Sequence, residues 1–396
     1  MELETSSSII SKYSTNRAVT LHTYEAFKYH WFVWQFCGLK YPKNHNWKLL
    51  YTVYAIILNA TVTLFFPLTL IVNCFLSENF TELCENLYIT ITDVICNLKF
   101  LNVFIVRKKL LAVKDILDRL DTRAKTDDEI HALRMGIRSA HKCFCIFAIM
   151  FGCAIITSQL VVYLSSERTL MYPAWLPLNW KTSYRDFLIA HSYQVYGLTV
   201  QAIQDLGNDT YPQAYLRILC AHIEALSLRI SKLGNKKGMN SKEVNKELIE
   251  CIKDHQIIIE LHKTIQQIIS TACLAQFMCT GLAQCTIGVY MLYVGLDFSK
   301  LLNIVIFFTA VTFEIFILCH FGDQLCQRAE QLTVAIYSCN WMDQNKKFKQ
   351  ALLLLLKRSQ RPLVIMAGDL IPLKLPTFVR VMKTAYSTFA VLSEVK

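Results

Sequence analysis

Residues 143–164, CFCIFAIMFGCAIITSQLVVYL, contain no charged side chain. As a helix they rise roughly 33 Å, enough to cross the ~30 Å hydrocarbon core of a bilayer. Six further stretches are long and apolar enough to do the same: 49–76, 83–106, 187–211, 264–294, 299–323 and 375–394. The composition agrees, with 54% apolar and only 18% charged residues, 23 Phe and 18 Tyr. That is too apolar for a surface facing water on all sides and points to a polytopic membrane protein. The N-terminal MELETSSSIISKYSTNR is polar and has no h-region, so the first membrane segment is expected to target the chain.

The net charge of +11 could suggest nucleic acid. No basic run alternates with aromatics in a polar domain, so no nucleic-acid partner is expected; the cations instead lie between apolar stretches and orient them. Segments 1–48, 107–142, 212–263 and 324–373 carry six, ten, nine and seven Lys/Arg, 32 in all. The opposite loops carry Arg168, Lys181, Arg185 and Lys300. A bias of 32 to four places the N-terminus in the cytoplasm and, after seven spans, the C-terminus outside. The sequon Asn79-Phe80-Thr81 then falls outside, where glycosylation occurs, whereas those at Asn59 and Asn208 read as chance matches. Cys74 and Cys84 flank the same outer turn, but the balance is against a disulfide; the other cysteines read mainly as small hydrophobes in apolar runs.

The fourth segment is interrupted by Gln194, Gln201, Gln204 and Asp205, a face that should line a cavity or the protein interior. In the second, Lys99 is expected to snorkel to the cytoplasm while Asp93 needs an internal partner or water. Glu314 in the sixth is expected to hydrogen-bond between helices. On the cytoplasmic side Leu110, Val113, Leu117 and Leu120 continue a helical stripe beyond the bilayer. Thr126 and Glu129 form a capping box that starts the helix into span three. Residues 213–233 and 242–263 show similar stripes, and together these extensions predict a cytoplasmic bundle. YEAFKYHWFVWQFCGLKYP (24–42) is too short to span and reads as an interfacial or re-entrant helix, with Trp31 and Trp34 near the headgroups and Gly38 and Pro42 ending it.

No Walker A, G-x-G-x-x-G, G-x-S-x-G or H-E-x-x-H motif is present, and the ten His are scattered. No catalytic residues, metal site or cofactor are expected, and the chain does not read as an enzyme. Two features suggest binding. The outer loop MYPAWLPLNWKTSYRDF (171–187) is stiff and apolar enough to fold back as a lid, or to serve as an interfacial anchor through Trp175 and Trp180. The outer halves of the spans carry Tyr88, Thr92, Ser158, Tyr163, Tyr193, Tyr196 and Tyr290, aromatics and hydroxyls suited to a small, mostly apolar ligand.

The last eighty residues carry a resemblance. FGDQL (321–325), AIYSCNWMDQNKKFKQALLLLLKRSQRP (335–362) and AGDLIPLKLPTFVRVMKTAYSTFAVL (367–392), with the pairs Thr377-Phe378 and Tyr386-Ser387, are similar to the C-terminal signature of the insect odorant receptors. YPAWLP (172–177) and GLKYP (38–42) look like family features too, and the resemblance covers nearly the whole chain; TAYS departs slightly where many relatives have Ser before Tyr-Ser. It implies a ligand-gated, nonselective cation channel subunit activated by small volatile organic molecules. Four subunits surround one pore, the chain joining a shared odorant co-receptor in a heterotetramer, in the plasma membrane of olfactory neuron dendrites. The alternatives are a gustatory-type relative or a G-protein-coupled receptor. The latter is opposed by the inverted charge bias and by the lack of D-R-Y-like and N-P-x-x-Y motifs.

The expected architecture is therefore an all-α membrane protein of four parts. Residues 1–48 form a cytoplasmic N-terminus with its interfacial helix, and 49–323 form six spans with cytoplasmic extensions around the ligand site. Residues 324–374 complete the cytoplasmic anchor, and 375–396 form span seven. Alignment with the family's terminal helix implies that span seven lines the pore. Arg380, Thr384, Ser387, Val391 and Val395 form its polar stripe beside Glu394, with Val391 at an apolar constriction, and Phe378, Met382, Ala385, Phe389 and Leu392 form the packing stripe.

Overall fold

The computed structural model describes residues 21–41, 47–165, 168–235, 240–293 and 298–394. A 3-10 turn, Thr23–Phe27, leads into α1 (Lys28–Phe36). Next come α2 (Lys48–Leu76), α3 (Phe80–Asp121), α4 (Asp127–Leu164) and α5 (Tyr184–Ser231). The chain continues through α6 (Ser241–Tyr293), α7 (Phe298–Ser338) and α8 (Lys346–Ser359). A hairpin, β1 (Met366–Ala367) antiparallel to β2 (Ile371–Pro372), precedes α9 (Leu375–Glu394). Among the described residues five helices, α2, α3, α4, α6 and α7, are long and apolar enough to cross a membrane. The fourth and seventh expected spans are α5, interrupted by buried polar residues, and the two-faced α9.

With 42 residues, α3 extends for roughly 63 Å, about twice the hydrocarbon thickness. The stripe of Leu110, Val113, Leu117 and Leu120 is buried in the main core with Cys251, Ile258, Leu261 and Ile265 of α6. Apolar residues three and four apart give both helices one face to cover, so each covers the other's. The expected capping box forms in half: the Glu129 amide donates to Thr126 Oγ1 at 3.4 Å, but Glu129 Oε2 reaches one residue further back and accepts from the Lys125 amide at 3.0 Å rather than from that of Thr126. Glu129 also accepts from Arg229 Nη2 of α5 at 2.8 Å, and Arg229 pairs with Asp254 of α6. Asp254 in turn accepts from Arg123 Nε at 2.8 Å, so these ion pairs join four segments at the end that the charge bias assigns to the cytoplasm. Burial alone would raise the Glu129 carboxyl, but Arg229 and the Lys125 amide outweigh it and hold it below its ordinary value.

Two expectations from single-helix patterns are corrected. Trp31 and Trp34 lie in the protein core rather than at a headgroup layer; Trp34, 1% exposed, meets the Tyr211 ring of α5 edge-on. Facing aromatics on α5 (Phe27 stacks on Tyr215) give the short N-terminal segment a protein surface to bury against. Gly38 ends α1 at φ 91°, as expected, while Pro42 lies outside the described residues. Lys99 does not snorkel: it is 4% exposed, paired with Asp209 and 3.4 Å from Asp205 of α5. Cys74 and Cys84 are free thiols, Cys74 Sγ lying 3.5 Å from Thr90 Oγ1.

The hairpin sets the start of α9. Gly368 and Asp369 take φ 58° and 57°, and Gln266 of α6 holds the turn through Met366 O and Asp369 Oδ1, both at 2.8 Å. Gly368 has a second reason to be Gly, since a Cβ there would come within 2.5 Å of Leu274. Thr377 Oγ1 then donates to Pro372 O at 2.8 Å, docking the first turn of α9 against the hairpin.

Candidate functional site: a buried cavity under an outer vestibule

The outer loop folds inward. Met171, Tyr172 and Ala174 are buried with Phe66, Leu70, Tyr88, Ile89, Ile287 and Tyr290 of the surrounding helices. The Trp175 amide donates to Thr69 O of α2 at 3.1 Å. Gln194 fixes the loop from α5: its Oε1 accepts from the Met171 amide at 3.0 Å, and its Nε2 donates to Tyr172 O at 2.8 Å. A glutamine that looked anomalous in a membrane span thereby satisfies buried backbone groups.

Below Tyr172 lies a cavity of about 140 Å³ between α3, α4, α5, α6 and α7. Ile89, Phe151, Ile155, Leu198, Phe307 and Val311 form apolar walls, while Thr92 and Ser158 contribute hydroxyls. Its inner end is polar: Asp93, Lys99, Gln201, Asp205, Asp209 and Glu314 all border it. Lys99 donates to Gln276 Oε1 at 3.0 Å, and Gln276 Nε2 donates to Glu314 Oε2 at 2.8 Å, the interhelical bond expected of Glu314. Asp93 accepts from Asn97 Nδ2 at 3.4 Å on its own helix. An apolar chamber with a few hydroxyls and an ionic floor suits a small, largely apolar molecule held at a fixed depth.

Above the loop, towards the expected exterior, lies a second cavity of about 660 Å³. Tyr88 and Tyr290 border this outer vestibule rather than the buried cavity. Of the seven expected ligand residues, therefore, only Thr92 and Ser158 reach the inner chamber. Tyr193 Oη donates to Thr61 O at 2.7 Å and packs on Phe65 and Phe66, borders neither chamber, and ties α5 to the π-helical turn Asn59–Phe65 of α2. Tyr163, 76% exposed, and Tyr196, 43% exposed, point to the outer surface of the bundle. The cavity walls were missed because an apolar side chain on one helix reads as ordinary packing. The floor left a signal, since Asp93, Asp205 and Glu314 are ionisable groups in apolar segments.

The last helix has two faces. Phe378, Val381 and Met382 are partly buried and Ala385 buried against α6 and α7, and Gly288 of α6 leaves room for Phe389, whose ring would lie 2.9 Å from a Cβ there. Arg380, Lys383, Thr384, Ser387 and Val391 are exposed. Val395, and the side chains of Leu392 and Glu394, lie outside what the structure describes.

Fold and cavity define an all-α, multi-pass membrane receptor. A profile of the seven-transmembrane odorant receptors matches residues 79–386. Odorant receptor 2a of Drosophila melanogaster is 41% identical over 390 residues, covering 95% of this chain and 98% of its own. Odorant receptor 19a of the same species is 31% identical, covering 98% of both. The solved insect olfactory receptor OR5 from Machilis hrabei superposes with a TM-score of 0.79 at 14% identity, over 95% of this chain and 100% of that one; its complex with eugenol gives 0.80. The chain belongs to the insect odorant receptor family. That membership makes the chain an odorant receptor rather than a gustatory-type relative.

Proposed function

We propose that this chain is the ligand-tuning subunit of an odorant-gated, nonselective cation channel. It acts in a heterotetramer with a shared co-receptor, in the plasma membrane of olfactory neuron dendrites. The observation that carries the ligand reading is the apolar cavity with its sparse hydroxyls, Thr92 and Ser158, set among five helices. The olfactory receptor that superposes on this chain has been solved with eugenol, a compact, mostly apolar molecule, and ligands of that class are what the cavity suits. Burying ~250 Å² of apolar ligand surface is worth about 6 kcal/mol before ordering costs, so potencies in the micromolar range or weaker follow.

Two surfaces support assembly around a pore. The polar face of α9 is uncovered in the single chain and borders an open groove with Arg380, Lys383, Thr384 and Ser387. In the expected cytoplasmic anchor, Val334, Tyr337, Met342, Leu353 and Leu354 are exposed although they lie outside the apolar spans, as subunit contacts would be. Ser387, Val391, Glu394 and Val395 are the residues proposed to line the outer pore, with Val391 as a dewetting constriction. Co-expression with an odorant co-receptor in oocytes, with a volatile panel under voltage clamp, tests the reading. Ligand-evoked currents are expected, and Ile155→Ala or Thr92→Val should reorder ligand potencies at unchanged surface level. A panel that evokes no current from channels at the surface would overturn it.

A further inference from the structure

The buried cavity and the outer vestibule share two lining residues, Met171 and Tyr172. Their backbone is clamped by Gln194 through both the Met171 amide and the Tyr172 carbonyl. Their side chains are held separately. Tyr172 Oη lies 2.6 Å from Ser158 Oγ, whose single proton has Asn303 Oδ1 at 3.2 Å and Ala154 O at 2.9 Å as acceptors, and Gln159 Nε2 lies 3.0 Å from Met171 Sδ. A wall with a fixed backbone and a few side-chain bonds opens more cheaply by rotating a side chain than by withdrawing the loop.

We propose that Met171 and Tyr172 form the gate through which ligand passes between vestibule and cavity, opened by rotation of Tyr172 out of its Ser158–Asn303 latch. This deepens the odorant-receptor reading and rests on it: the gate selects compact, uncharged molecules by rate of passage, before the cavity selects them by fit. Asn303 borders the vestibule but not the cavity, so it acts on passage without touching a seated ligand.

Loosening such a gate scales the rates of arrival and departure together and leaves their ratio unchanged. Asn303→Ala and Tyr172→Phe each weaken the latch by roughly one hydrogen bond, about 1 kcal/mol, or about fivefold in rate. Two readouts are needed. In co-expressed channels, current onset at low ligand concentration and current washout should both quicken about fivefold in both variants. In Asn303→Ala, whose side chain does not line the cavity, the half-maximal concentration should stay within about twofold of the unmodified channel. Independently of any current, Cys279, which borders the buried cavity, serves as a native reporter. Its modification in the full-length protein by methyl methanethiosulfonate, a small uncharged reagent, is followed by peptide mass spectrometry and should quicken about fivefold in both variants. Unchanged labelling and onset rates would overturn the gate and place the route elsewhere, such as from the bilayer. A shifted half-maximal concentration with unchanged onset and labelling would reduce Tyr172 to a wall contact. If no variant carries ligand-evoked current, the channel reading fails, and the labelling rates still decide the gate.

Discussion

An ammonium group 4% exposed, as at Lys99, survives in an apolar bundle only because carboxylates surround it: Asp209 and Asp205 directly, and Glu314 through Gln276. Lys99→Met leaves those acids without their cation and should destabilise the protein by about 3–5 kcal/mol. Lys99→Met with Asp209→Leu should recover much of the loss, because it removes both charges of the closest pair. Thermal unfolding of the purified variants checks this, and equal stability of single and double variants would show the pair to be uncoupled. A second residue-scale test concerns pH. Burial pushes the Asp121 carboxyl up from 3.8 to about 6, against the Thr23 bonds that favour its charged form, and burial lowers His222 from 6.5 to about 3. The stabilisation due to Asp121 is full below about 3.8 and is lost as pH rises through about 6; that due to neutral His222 is present above 6.5 and is lost as pH falls toward 3. Their side chains lie 3.6 Å apart, and between pH 4 and 6 the two effects oppose one another. Asp121→Asn should therefore make the melting temperature fall more steeply on acidification across that window, and an unchanged slope would refute the assignment.

Among the elements, α9 carries the mechanism proposed for conduction. Its alternation of faces was legible in the sequence, because residues three and four apart share a helix face. The packing stripe Phe378, Met382, Ala385 and Phe389 lies against neighbours, while Thr384, Ser387 and Val391 (62% exposed) do not. An apolar ring that excludes hydrated cations should leak when made polar, so Val391→Ser should raise resting current severalfold in co-receptor channels at equal surface expression. Glu394→Lys should weaken cation permeability or change rectification. Concatenated subunits give the cleaner measurement, and unaltered currents there would remove α9 from the pore. The short N-terminal helix shows the opposite case: its aromatics signalled an interface but could not say whether lipid or α5 provides it, and Phe27 on Tyr215 shows that it is α5.

At the scale of the whole molecule, orientation is the property to test, and the three sequons provide the means. Asn79 is exposed just before α3, Asn208 is 1% exposed inside the bundle, and Asn59 donates to Cys37 O and Ala55 O within it. Glycan should therefore appear on Asn79 alone, and Asn79→Gln should abolish the glycosidase-sensitive mobility shift. A residual shift traced to Asn208 would invert the topology.

The sequence alone determined the helical class, the long apolar segments and the odd polar face of α5, and it set the expectation of an inside-positive orientation, because hydropathy and charge along a chain report directly on transfer between water and lipid. It also held the family signature in the last eighty residues. Only the tertiary structure decided which polar residues meet. Lys99 pairs with α5 instead of snorkelling, Tyr163 and Tyr196 face outward, and Gln194 secures the loop that covers the cavity. The physical reason is that a cavity is a gap between several helices. Its walls depend on how each helix is rotated against the others, and no periodicity within one helix fixes that angle.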